Sequence, residues 1–559
     1  MEDTSNTVPS TGSDYQSRHL TVDAAFRDVL ERHADKTALI FLGEKYTYKK
    51  LGRWVAEAAA GLRSLGANQG DRIIIYMPHC PQWVIAWLAV QRVGGEAVPV
   101  THFYGPHELE YIANDSNAKI VLCMDTNFGY IRRIIPSTGI EKVVVTRLGD
   151  LLPRWKKLLG KVLDRIPSGR YDEGDGVVGF KSFLSSGDRS VSQATTQLGP
   201  QDPVEMLYTG GTTGTPKGVP ISNGLFAESV AAQRGNTEAL IPRGEDIAIQ
   251  GAPLYHILGQ TVGLGNLLAG DTIILLPRMN LDALMDHVQH YRVKTLFGTP
   301  LLFRMILEHD RIDQYNLSSL EHNFSGGDVL PNEVEHRWYE RFGRRIYQGY
   351  GATETCGGVA LTPIGSDYPT GTVGKILSIK DTLLVDPDTL EPVGSGEPGE
   401  LLVASNYMVT GYWNKPEETE GHFITVEDRL WYKTGDVMRI DEDGWVFFVD
   451  RSVDIIKHKG YRVAAAKVES ALQEHEQVVG ACVVGIPDSK VGERVKAVVV
   501  IKEDAQGLTA QDLTRWCRDR LVSYEMPEHI EFRDMLPRSR VGKILRRELR
   551  DEERRKLEA

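Results

Sequence analysis

Short apolar runs alternate with segments of helical spacing twice along this chain, and that alternation restricts its fold more than any other feature. In the first series Thr21–His33, Leu51–Leu65, Pro81–Val93 and Pro106–Asn117 have helical periodicity. Between them Ala38–Leu42, Arg72–Met77, Ala97–Val100 and Ile120–Met124 read as strands. Proline at the start of Pro81–Val93 and glycines at its end are the expected helix punctuation. The second series begins near Val204, with strands at Ile247–Gln250, Thr272–Leu276, Thr295–Gly298 and His322–Ser325. Its helices are Ser222–Gln233, Leu281–His290, Leu301–His309 and Asn332–Phe342. Strand–helix alternation of this kind predicts mainly parallel sheet covered by helices.

After residue 370 the pattern changes. Turn pairs such as Gly394-Ser395, Pro398-Gly399 and Asp443-Gly444 separate short strands, which predicts antiparallel sheet or a small barrel over about 370–450. Beyond the strand Trp445–Val449, strands at Ala481–Ile486 and Ala497–Ile501 mix with helices at Lys467–Glu474 and Ala510–Leu521. The expected class is therefore a multidomain α/β and α+β chain. Residues 1–18 are expected to be a loose tail, 19–450 a large domain, and 451–559 a small α+β domain. A length of 559 residues, at roughly 150 per domain, agrees with three or four folding units.

The formal charge of −12 argues against a protein that coats nucleic acid. Five cysteines without a C-x-x-C pair indicate neither a zinc knuckle nor a disulfide framework. The first residues lack a basic region followed by an apolar core, and no run is long enough to span a bilayer. A cytoplasmic protein is expected, as a monomer or homo-oligomer, with no nucleic-acid partner.

The segment Tyr208-Thr209-Gly210-Gly211-Thr212-Thr213-Gly214-Thr215-Pro216-Lys217-Gly218 directly follows the strand Val204–Leu207. Its glycines let the backbone approach a ligand closely, and threonine hydroxyls and exposed N–H groups can surround phosphate oxygens. It is not a G-x-x-x-x-G-K-[ST] loop, given where Lys217 falls. Tyr347-Gln348-Gly349-Tyr350-Gly351-Ala352-Thr353-Glu354 reads as a second nucleotide loop behind a strand, ending in a carboxylate. Glu354 suits a magnesium ion, which prefers oxygen ligands, or equally a helix cap or surface role. In Tyr432-Lys433-Thr434-Gly435-Asp436, the acid can accept hydrogen bonds from ribose hydroxyls or close an Asx turn. Pro537–Leu545 is basic and runs into a charged helix. Taken alone, it suits nucleic acid or solvent.

Together, and in this order, these motifs resemble the adenylate-forming enzymes, which include acyl-CoA synthetases, luciferases and the adenylation domains of peptide synthetases. The resemblance covers nearly the whole chain. It implies that Thr209, Gly210, Gly211, Thr212, Thr213, Gly214 and Lys217 form the phosphate loop. Many members have serine where this chain has Gly210, which removes one hydroxyl. By the same resemblance Ser325, Gly326, Gly327 and Asp328, with Gly349, Tyr350, Gly351 and Thr353, frame adenine and the acyl group. Glu354 holds magnesium, Asp436 and Arg451 hold ribose, and Lys543 is the catalytic lysine. Tyr255 and His256 line the acyl site, Asp450 is the hinge, and Lys457, Lys459, Gly460 and Tyr461 approach the nucleotide in a second half-reaction.

The implied cofactors are ATP/AMP, Mg2+ and coenzyme A. The implied reaction converts ATP, a carboxylic acid and CoA to acyl-CoA, AMP and pyrophosphate through an acyl-adenylate, reversibly. Fatty, medium-chain, alicyclic and aromatic acids all fit, each held in an apolar pocket. Gly259, Gly263 and Gly265 either leave room for the acyl group or pack helices. One alternative is an enzyme that loads an amino or aryl acid onto a carrier protein. Against it, Ala252-Pro253-Leu254 lacks the acid that usually holds an amino group. A non-catalytic nucleotide-binding protein would be expected to have lost Lys543 or Glu354, and both are present.

Overall fold

The computed structural model describes residues 19–162, 166–187, 197–209, 215–459, 461–488, 490–502, 505, 507–537 and 544–558. The expected tail, 1–18, lies outside them.

The first alternating series, without its strand Thr37–Phe41, builds a seven-stranded sheet together with the hairpin Pro203–Thr209 and Lys217–Ser222. Its order is Val177–Gly179, Lys142–Thr146, Ile120–Met124, Arg72–Tyr76, Glu96–Pro99, Pro203–Thr209 and Lys217–Ser222. All neighbours are parallel except the last two strands, which form an antiparallel hairpin. Buried on both faces, the strands read as continuous apolar runs. The helix Pro81–Val93 is buried at every residue, begins with proline, and ends at Gly94 in the left-handed conformation. Trp83 and Trp87 stack along one side of it.

The parallel strands of the second series take in Thr37–Phe41, which is edged by the antiparallel Glu44–Thr47, and continue without a break in pairing into the antiparallel region. From one edge the path runs through Glu44–Thr47, Thr37–Phe41, Thr272–Leu275, Ile247–Gln250, Thr295–Gly298, His322–Gly326 and Ile346–Ala352. It then passes through Gly357–Leu361, Thr372–Ile376, Val446–Arg451, Arg429–Ile440, Gly399–Ser405 and Lys380–Val385. The strands expected over 370–450 are thus antiparallel, and they join the second sheet through the pairing of Gly357–Leu361 with Thr372–Ile376.

A smaller sheet holds Tyr461–Ala464, Ile455–His458, Gly492–Ile501, Val478–Asp488 and His529–Phe532. Helices Ala465–Gln473, Ala510–Arg518 and Arg546–Glu558 accompany it, giving the α+β architecture expected of the last part of the chain. Among the described residues no helix is long and apolar enough to cross a membrane. The five cysteines are free and buried.

Candidate nucleotide and acid site

The C-terminal ends of the strands Thr295–Gly298 and His322–Gly326 open onto a cavity of about 1320 Å³. That is where open α/β sheets place their ligands. Thr209 and Lys217 stand opposite each other at the base of the hairpin and both line it. Lys217 is buried beneath Tyr412, 3.2 Å from Glu418 Oε2 and 4.3 Å from the Tyr412 ring centre. Gly210, Gly211, Thr212, Thr213 and Gly214 lie outside the described residues, as do Gly460 and Lys543.

Gly326, Gly327, Gly349, Tyr350, Gly351, Thr353 and Glu354 also line the cavity, whereas Asp328 does not. The segment expected to be a loop behind a strand is itself strand through Ala352. Glycine permits this, because a Cβ at Gly351 would lie 2.0 Å from the Gly357 carbonyl oxygen of the paired strand. Only Thr353 and Glu354 reach the turn. Glu354 is buried, and its Oε1 accepts a 2.8 Å hydrogen bond from the Tyr412 hydroxyl. Beneath the turn, the buried Lys380 donates to the Thr355 carbonyl at 2.8 Å, and burial lowers its pKa to about 8.

Asp436 and Arg451 face each other on neighbouring strands, with Arg451 Nε 3.3 Å from Asp436 Oδ1. The Tyr350 hydroxyl donates to Asp436 Oδ2 at 2.7 Å. Asp436 sits in the strand Arg429–Ile440. The Thr434 hydroxyl accepts from its backbone N–H at 3.1 Å, and buried Glu400 accepts from Gly435 N–H at 3.2 Å. These contacts hold the irregular stretch at Gly435, whose φ is 71°. Tyr412, Glu400 and Lys380 were not legible as site residues, nor was the bond from Tyr350 to Asp436, because each acts through a partner distant in sequence.

Tyr255 and His256 also line the cavity. The Leu254 N–H donates to His79 Nε2 at 3.2 Å, and burial lowers the His79 pKa to about 4, so this acceptor stays neutral. Just after them in the chain, Gln260–Leu264 forms a π-helical turn. Such turns are rare and frequent at functional sites. A Cβ at Gly259 would lie 2.0 Å from the Pro253 carbonyl oxygen, and one at Gly263 2.4 Å from Gln250 Oε1. These two glycines therefore serve packing, while Gly265 borders the cavity.

A family model for AMP-binding enzymes matches residues 26–413, and the model for the AMP-binding enzyme C-terminal domain matches 467–543. The chain is 33% identical over 549 residues to a long-chain-fatty-acid–CoA ligase of Escherichia coli O157:H7, covering 97% of this chain and 96% of that one. The chain belongs to the adenylate-forming AMP-binding enzymes, in their acid–CoA ligase branch. A 4-coumarate–CoA ligase of Oryza sativa is 28% identical, over 91% of this chain and 87% of its own. The crystal structure of ATP-bound MatB from Rhodopseudomonas palustris superposes with a TM-score of 0.81 at 26% identity, covering 95% of this chain and 98% of that one.

In this adenylate-forming enzyme the strand Val446–Arg451 is the last of the large sheet before Ile455–His458 opens the small one. Asp450 lies at that passage, almost fully buried. Its Oδ1 accepts from Arg451 N–H at 2.8 Å and its Oδ2 from Ala466 N–H at 3.0 Å, at the start of helix Ala465–Gln473. Lys457 lines the cavity, 3.6 Å from Asp388. Lys459 and Tyr461 do not line it. Lys459 lies 3.4 Å from Glu528, and Tyr461 stacks on Tyr524 with ring centres 4.2 Å apart. Arg462 joins the two units through Asp386 at 3.1 Å and Asp388 at 2.7 Å. Leu545, two residues beyond Lys543, borders the cavity.

Proposed function

We propose that this chain condenses an aliphatic carboxylic acid with ATP and then transfers the acyl group to CoA, releasing pyrophosphate and AMP. The observation that carries this reading is one cavity shared by nucleotide-side and acid-side groups. Asp436, Arg451 and Glu354 line it, and so do the apolar Val230, Val262, Phe297 and Phe324. The long-chain-fatty-acid–CoA ligases among its relatives support an acyl chain over a ring.

In this reading Asp436 accepts hydrogen bonds from the ribose hydroxyls, with Tyr350 and Arg451 fixing its carboxylate. Thr209, Thr353 and the backbone of the Gly210–Gly214 loop receive the phosphates. Lys543 neutralises charge on the α-phosphate as the acid's carboxylate attacks it and pyrophosphate leaves. Tyr255 and His256 bound the path of the acid. The small unit then turns about Asp450, exchanging Lys543 for the loop bearing Lys457, Lys459, Gly460 and Tyr461. The CoA thiolate attacks the acyl carbonyl and AMP departs. No enzyme nucleophile is required, and burial holds the Cys356 thiol up at about 12, far from a thiolate at neutral pH.

Magnesium fits the residues present. Among the described residues no cluster of three His, Cys, Asp or Glu side chains suits a metal. A magnesium ion shared with phosphates, however, needs only one or two carboxylates. Glu354, oriented by Tyr412, would hold it, and the ion would offset the negative charge of the triphosphate. A cytoplasmic location accords with the use of ATP and CoA. A panel of acids, with AMP, pyrophosphate and thioester measured with and without CoA, tests the proposal. Adenylate without any thioester would favour loading of a carrier protein, and no turnover of any acid would overturn the reading.

A further inference from the structure

The turn that carries Glu354 is held in a conformation its own residues do not favour. Between the paired strands Ile346–Ala352 and Gly357–Leu361 the chain reverses through Thr353, Glu354, Thr355 and Cys356. Cys356 adopts a left-handed backbone, with φ 53°, and Gly357 follows at 85°. For a residue with a side chain this conformation costs free energy and persists only where the surroundings enforce it. The buried Thr355 hydroxyl does part of this, accepting from Ala352 N–H at 3.0 Å and donating to the Gly357 carbonyl at 2.8 Å. The Cys356 N–H donates to the Thr353 carbonyl at 3.0 Å. The Thr355 carbonyl accepts from outside the turn, from Lys380 Nζ at 2.8 Å.

Lys380 opens the strand Lys380–Val385 in the antiparallel region. It is 2% exposed and does not border the cavity, so any effect on a ligand passes through the groups it touches. An ammonium removed from water is costly unless charge pairing and hydrogen bonds compensate. The titratable groups facing Lys380 are Cys356 and Glu228. Burial holds the Cys356 thiol up at about 12, so it is neutral, and Glu228 acts on Lys380 through space without a hydrogen bond. The charge-assisted bond to the Thr355 carbonyl is therefore the contact that offsets the burial of the ammonium.

We propose that Lys380 is a positioning residue for the metal, fixing the turn through the Thr355 carbonyl so that the Glu354 carboxylate is presented to the ion. Tyr412 restrains the carboxylate itself, donating to Oε1 at 2.8 Å. Side chain and backbone of the turn are thus held separately, and partners of this kind orient a metal's ligands. This proposal rests on the reading that Glu354 holds magnesium.

The test uses the full-length enzyme with ATP and no acid, so that nothing turns over. Manganese replaces magnesium as a paramagnetic probe, and its binding is read by electron paramagnetic resonance in wild type, Lys380→Met, Glu354→Gln and the double variant. Lys380→Met keeps the length of the side chain and removes its charge and its donor. It is expected to weaken manganese binding by about fivefold, below the roughly 10–100-fold typical of a partner bonded directly to a ligand side chain. In the Glu354→Gln background the same change is expected to have no further effect, because the two residues act through one group. Thioester formation from preformed acyl-adenylate, which involves no metal-bound triphosphate, is expected to stay as in wild type. Unaltered manganese binding in Lys380→Met, beside a loss in Glu354→Gln, overturns the proposal and leaves the metal reading intact. Equal losses in both backgrounds, or a parallel fall in thioester formation, also overturn it, since they mark a general structural role. Manganese binding unaltered by Glu354→Gln overturns both readings. Lys380→Gln, uncharged and too short to keep the bond, decides the same comparison if Lys380→Met does not fold.

Discussion

The Tyr350 hydroxyl donates a 2.7 Å hydrogen bond to Asp436 Oδ2 across 86 residues of sequence. It ties the glycine-rich strand to the acid assigned to ribose. Hydrogen bonds to charged groups contribute about 1.5–3 kcal/mol. Tyr350→Phe is therefore expected to raise KM for ATP by about tenfold, with a smaller change in kcat, and Asp436→Ala to raise it further. Steady-state kinetics at saturating acid and CoA measure this. An unchanged KM in Tyr350→Phe would remove the tyrosine from the nucleotide site.

The two half-reactions separate the role of Lys543. Lys543→Ala is expected to slow adenylate formation by at least about 100-fold, the scale of losing one transition-state charge partner. Thioester formation from preformed acyl-adenylate should stay within a few-fold of wild type. Rapid-quench measurement of each step distinguishes them, and equal losses would refute the exchange of Lys543 for the Lys457–Tyr461 loop.

Glu354 offers a buried carboxylate at the turn assigned to the phosphates, oriented by Tyr412. Glu354→Gln is expected to raise the magnesium concentration for half-maximal activity by about tenfold or more, and Tyr412→Phe to shift it less in the same direction. Chelation should abolish activity of every variant. A magnesium titration of Glu354→Gln identical to wild type would exclude the carboxylate as the metal's partner.

Glu205 is fully buried on the strand that leads into the phosphate loop, and it accepts a 3.0 Å bond from the Trp87 indole N–H. Burial pushes its pKa from 4.5 up to about 8. The folded state thus keeps a proton that the unfolded chain releases. The resulting stabilisation is complete below about pH 4.5 and lost as pH rises through about 8. Glu205→Gln keeps the shape without the titration. Its Tm is expected to fall by several degrees less than that of wild type across this range. Parallel Tm profiles would show that Glu205 titrates alike in both states.

Much of the architecture was legible because it is written locally. Pro81–Val93, Ile120–Met124 and Asn332–Phe342 occupy the spans that periodicity and punctuation indicated. The segment ending at Glu354 was misjudged as a loop. Glycines suggest a turn when read singly, yet Gly351 and Gly357 here let two strands approach. Gly259 and Gly263 were similarly ambiguous, since room for a ligand and close backbone packing demand the same residue.

By itself, the sequence determined the two parallel sheets, the antiparallel region, the small α+β unit and the order of the nucleotide motifs. Each depends on the period and composition of neighbouring residues. Only the tertiary structure decided that Tyr350 restrains Asp436 and that Tyr412 orients Glu354. These pairs are made by strand register and by the packing of helices across a sheet. A buried polar atom's partner is set by that three-dimensional proximity, which no local pattern encodes.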